Sequence, residues 1–123
     1  MNDRDRLIAY MWLQHDLLNI FGKCIYFTIE DEDEIYNWSE KDIKKVWKWT
    51  KKYKIFPFCI YLSFYDSVNC EFNGLMCGYG NRHGNCFNDK NNESSKSMNV
   101  FMKNFEHKYS EFCEYCIKEI EEV

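Results

Sequence analysis

The chain has 123 residues, 46% of them hydrophobic and 19% aromatic, enough for one buried core and too apolar for a disordered chain. A formal net charge of −4 excludes nucleic-acid affinity arising from overall charge alone, so direct nucleic-acid binding is not expected. No apolar run approaches the ~18 residues of a membrane span, and the polar start (Met1, Asn2, Asp3, Arg4, Asp5, Arg6) does not read as a secretion signal.

One alanine stands against twelve asparagines and thirteen lysines. Part of that bias reads as coding background. Seven cysteines are an odd number and form no regular framework. Reduced thiols in a cytoplasmic setting are therefore expected.

Residues 3–21 follow helical spacing through Leu7, Tyr10, Met11, Gln14, Leu17, Leu18 and Phe21, with Asp3 as the expected cap and Gly22 as the stop. Residues 24–29 are rich in β-formers and read as a strand. Five consecutive acids follow: Glu30, Asp31, Glu32, Asp33 and Glu34. Mutual repulsion predicts an exposed run with no need for rigid structure.

Ser39 opens a second helix over 40–54, with Asp42 completing a weak capping box. Ile43, Val46, Trp47, Trp49 and Tyr53 form its apolar stripe, and Lys41, Lys44, Lys45, Lys48, Lys51 and Lys52 fill the other side. The plain reading of those lysines is a solvated face; the sharper one is a basic docking ridge.

Residues 57–65 are almost wholly apolar and read as a buried strand, with Pro57 at its start or on an edge. Asn73-Gly74 then predicts a two-residue hairpin joining strands 69–72 and 75–79, which would set Cys70 opposite Cys77. The polar stretch 85–97 reads as a loop. A last helix over 97–122 carries Met98, Met102, Phe105, Tyr109, Phe112, Cys116 and Ile120 on a near-3.5-residue seam. That seam is suited to burial on the sheet or to a homodimer.

Three constellations hint at chemistry. Cys70, Cys77, His83 and Cys86 offer the donor types of a Cys3His zinc site, but without the tight Cys-x2-Cys spacing of common structural sites. Buried free thiols or a Cys70–Cys77 disulfide are the alternatives. Gly78, Gly80, Arg82 and His83 would let a glycine-rich loop and a guanidinium hold a nucleotide-like anion, though neither a Walker loop nor a dinucleotide fingerprint is present. Cys77 or Cys86 could be paired with His83 or His107, but in a chain with three histidines any cysteine can be paired so, and catalysis is not expected.

The expected architecture is a single α+β domain over residues 1–123. An antiparallel sheet of three or four strands would be covered by three helices, the last of them long. The expected function is that of a non-catalytic inhibitor needing no cofactor. It would block a protein partner that has a basic surface, in the manner of anti-defence (anti-CRISPR-like) or toxin-immunity proteins. Glu30 to Glu34, with Glu111, Glu114, Glu119, Glu121 and Glu122, would imitate a nucleic-acid backbone. A small-anion binder using Arg82 and a zinc-stabilised module contacting nucleic acid through the lysines are the alternatives.

Overall fold

A computed structural model describes residues 1–20, 27–65, 78–83 and 109–122. Every regular element among them is an α-helix: α1 (Asp3–Asn19), α2 (Ile29–Asn37), α3 (Glu40–Tyr53), α4 (Pro57–Tyr65), α5 (Gly78–His83) and α6 (Tyr109–Glu121). The expected α+β sheet is therefore replaced by helix-on-helix packing among the described residues.

The reasons are local and legible once the helices are seen. At the expected first strand, residues 24–26 lie outside the described residues. Thr28 is the N-cap of α2 and Ile29 its first residue. The Thr28 hydroxyl accepts from the Asp31 amide, and Asp31 Oδ2 accepts from the Thr28 amide at 2.9 Å, which closes a capping box. Acids in the first turn face the positive end of the helix dipole, which offsets the repulsion between neighbours. The run expected to need no rigid structure thus builds a helix.

The expected second strand, 57–65, is α4. Proline suits the first helical position, because its φ is preset and its missing amide would have no intrahelical partner there. The amides of Cys59 and Ile60 donate to the Phe56 carbonyl at 3.1 and 3.2 Å and start the helix. Phe58 and Ile60 are buried while Tyr61, Leu62 and Phe64 are partly so.

Of the expected hairpin, residues 69–77 lie outside the described residues, and 78–79 belong to α5. Residues 97–108 of the expected last helix and the polar stretch 85–97 also lie outside. Within the described part of the seam, Phe112, Cys116 and Ile120 are buried in this chain's own core.

The other two helices follow their signals closely. Asn2, rather than Asp3, caps α1 by accepting from the Asp5 amide at 2.8 Å. Ser39 caps α3 through the Asp42 amide at 3.2 Å, and Lys54 ends it in the left-handed region (φ 55°). Its amide donates to the Thr50 carbonyl at 3.0 Å.

Helix α1 is central and packs on α2, α3 and α6; α3 carries α4, and α2 carries α5. Leu7, Tyr10, Met11 and Leu18 of α1 meet Ile43, Val46 and Trp47 of α3 in one core. Tyr10 stands edge-on to Trp47 at 5.7 Å. A guanidinium latches the start of the bundle, since Arg4 pairs with Glu40 and donates to the Trp38 carbonyl at 2.5 Å. Among the described residues no helix is long and apolar enough to cross a membrane.

Candidate functional site

The densest polar cluster joins α2 to α5. Asp31 is fully buried. Its Oδ1 accepts from Arg82 Nε at 2.5 Å and its Oδ2 meets His83 Nε2 at 2.8 Å. Arg82 also donates through Nη2 to Glu34 Oε1 at 2.9 Å. An ionised carboxylate only accepts, so Nε2 is the ring nitrogen that carries a proton toward Asp31. Thr28 adds its amide and hydroxyl to the same Oδ2. Asp31 thus both completes the capping box of α2 and anchors α5.

Helix α5 needs that anchor. Two of its six residues are glycines, each costing about 1 kcal/mol relative to alanine in a helix interior. Tertiary contacts supply what propensity lacks. Tyr79 is buried, with its ring 4.8 Å from Phe56 and 5.4 Å from Phe58. Four residues on, His83 lies 4.5 Å from the Tyr79 ring. The Arg82 guanidinium sits 5.9 Å over the Phe58 ring.

The electrostatics divide the two acids. Burial pushes the Asp31 carboxyl up, but hydrogen bonds from His83 and Arg82 outweigh it and hold the group below its ordinary range. At Glu34 burial wins over the Arg82 contact, and the group is held above its ordinary range. Burial disfavours the Arg82 cation, but Asp31 and Glu34 more than compensate and strengthen its hold on the proton. A carboxylate, a guanidinium and an imidazole joined in this way form a buried clasp.

The five-acid run is consequently not one uniform patch. Asp31 lies within the clasp, Glu34 pairs with Arg82, and Glu32 accepts from Trp12 Nε1 at 3.1 Å. Glu30 and Asp33 remain exposed. For the small-anion reading, Gly78 and Gly80 lie on the α5 backbone and the Arg82 guanidinium faces Asp31 and Glu34. For the zinc reading, Cys70, Cys77 and Cys86 lie outside the described residues, and His83 is bonded to Asp31. Among the described residues no three His, Cys, Asp or Glu side chains converge as a metal would require.

The six lysines of α3 present the opposite picture. Lys41, Lys44, Lys45, Lys48, Lys51 and Lys52 are all exposed. Only Lys51 is ion-paired among the described residues, to Glu121 of α6 at 3.2 Å; the neighbouring Lys54 pairs with Glu114 at 3.3 Å. The Lys45 ammonium lies 5.4 Å over the Phe64 ring and that of Lys52 5.1 Å over Tyr53. The aromatic side of this face escaped the sequence reading. Trp49 and Tyr53 belong to the apolar stripe of α3, yet they are 39% and 52% exposed. The Lys-rich spacing was the signal for the ridge; nothing local marked those two rings as its border.

Cys113 and Cys116 are buried, and Gln14 Nε2 donates to Cys113 Sγ at 3.5 Å. Burial, then Cys113 and Glu119, push the Cys116 thiol up to about 12, which leaves roughly one thiolate in ten thousand at pH 8. Cys116 is therefore expected to resist iodoacetamide at pH 8 in the folded chain and to react once guanidinium chloride unfolds it. Peptide mass spectrometry reads the difference, and rapid labelling of native Cys116 would contradict its burial.

Comparison with known proteins finds no family model, no curated protein and no solved structure that matches this chain.

Proposed function

We propose that this chain is a non-catalytic binding protein that acts by occupying the surface of an anionic partner, and that it does so through the lysine-bearing side of α3. The observation that carries the reading is the contrast between the two charged segments. Three acids of the 30–34 run make contacts inside the fold, whereas all six lysines of α3 face outward. This moves recognition from the acidic run, and from a partner with a basic surface, to the basic ridge.

Charge separation supports the same reading. Glu121 of α6 pairs with Lys51, but Lys41, Lys44, Lys45, Lys48 and Lys52 are exposed and make no ion pair among the described residues, so an approaching polyanion meets a local positive field. Complementarity of that kind mainly raises the association rate and orients the encounter, and it weakens with salt.

The test is retention on immobilised heparin, a polyanion without bases. The native chain is expected to bind at low salt and elute as salt rises. The triple variant Lys41→Glu, Lys44→Glu, Lys48→Glu is expected to flow through. The variant Glu30→Lys, Asp33→Lys is expected to elute no earlier than the native chain. Unchanged elution of the triple variant would discard the α3 face as the recognising surface.

A further inference from the structure

We infer that the anionic partner is single-stranded nucleic acid, bound with a base stacked on Trp49 and the phosphates on the neighbouring lysines; the inference rests on the α3 reading above. At 3.6 residues per turn the exposed side of α3 runs in the order Lys48, Lys41, Lys52, Lys45, Trp49, Tyr53 around the helix. Four cations thus lead directly into two exposed rings. Along the axis, Lys41 to Lys52 covers about 16 Å, the reach of a few nucleotides.

The rings are held rather than loose. Trp49 stands edge-on to Phe64 at 5.3 Å and to Tyr53 at 5.7 Å. Trp38 and Trp47, by contrast, are 3% and 2% exposed. Ile55, 46% exposed just past the left-handed Lys54, extends the apolar border. The ammonium groups of Lys45 and Lys52 lie over Phe64 and Tyr53, beside the Trp49 ring.

This combination selects among polyanions. A positive face beside an exposed aromatic ring suits unpaired bases, because every base offers a flat face and every nucleotide a phosphate. An acidic protein segment would use the lysines but leave Trp49 without a stacking partner. A paired duplex would keep its bases stacked on one another. The net charge of −4 does not oppose the reading. Of the acids on α3 itself, Glu40 pairs with Arg4 and Asp42 is buried, while Glu121 and Glu114 of α6 pair with Lys51 and Lys54.

The experiment is fluorescence anisotropy with a labelled twelve-nucleotide oligo(dT), beside heparin retention of the same proteins. Trp49→Ala is expected to weaken oligo(dT) binding about 10-fold and to leave heparin elution unchanged. Trp49→Phe, which keeps a smaller ring, should fall between. Lys48→Gln should flatten the slope of log affinity against log salt by about 0.7. Should Trp49→Ala lose its circular-dichroism melt, the phenylalanine and Lys48 variants decide.

Equal oligo(dT) affinity in the native and Trp49→Ala chains would overturn the inference. So would tighter binding to polyglutamate, or to vesicles of phosphatidylserine and phosphatidylcholine, than to oligo(dT). If oligo(dT) fails to bind while heparin is retained through the lysines, the nucleic-acid assignment falls and the polyanion reading stands. If heparin is not retained either, both fall.

Discussion

Replacing Asp31 with asparagine is expected to lower the free energy of unfolding by about 3 kcal/mol, as removal of one partner from a buried charge cluster does. Asp31 has no exposed surface, and its two oxygens serve Arg82, His83 and the Thr28 cap together. Asparagine keeps the size but not the charge, and it offers one acceptor oxygen where two were in use. The Arg82 cation would then be held by Glu34 alone, and α5 would lose its main tie to α2. Glu34→Gln should cost much less, because burial already raises that carboxyl and opposes its charged form.

The pH dependence follows from the two shifts. Asp31 has its folded value depressed below about 3.8. Its contribution is complete above that pH and fades as pH falls through the lower folded value. Glu34 is raised above about 4.5. Its ionised form costs stability above its folded value, and that cost is relieved as acid protonates it. On acidification, relief at Glu34 therefore precedes loss of the Asp31 clasp. Circular-dichroism melts between about pH 3 and pH 7 check both points. The Asp31→Asn chain should melt lower at neutral pH and show a flatter acid limb. An unaltered melt and limb would mean that the clasp does not hold α5 to α2.

Phe58→Ala is expected to destabilise the chain by about 3–5 kcal/mol, the range for emptying a buried aromatic site. Phe58 is 2% exposed. Its ring lies 5.3 Å from Trp38, 5.6 Å from Phe56, 5.4 Å from Tyr79 and 6.5 Å from Phe27. The same ring underlies the Arg82 guanidinium, so the cavity would open beneath the clasp as well. Phe58→Leu should cost roughly 1.5 kcal/mol at most if its smaller side chain repacks. Chemical denaturation reads both, and a loss below about 1 kcal/mol for the alanine variant would contradict the packing of α4 into the core.

The two largest effects fall on segments whose secondary structure the chain did not announce, and the reason is specific. Helices α1 and α3 carry their own boundaries, with Asn2 and Ser39 as caps and apolar residues at helical intervals between them. Those features act within a few residues, so they are readable in order along the chain. Helix α2 carries the Thr28–Asp31 capping box just as locally. Five adjacent acids mask it, because their mutual repulsion argues against order while the dipole at the helix start offsets that repulsion. Helix α4 offers no period at all. A continuous run of Phe, Cys, Ile, Tyr and Leu suits a buried strand as well as a buried helix, and its neighbours in space decide between them.

The clasp lay further out of reach. Asp31 and His83 are separated by 52 positions, and no interval between an acid and a histidine encodes that they will meet. Composition, charge, the apolar spacing of α1 and α3, the Ser39 cap and the outward lysines of α3 are properties of neighbouring residues, so the linear order of the chain was enough for them; the α1 cap, expected at Asp3, falls one residue earlier at Asn2. Only the packed bundle could pair α2 with α5, bury Asp31, and leave Trp49 and Tyr53 at the surface. Burial and ion pairing over such separations depend on which helices come to rest together.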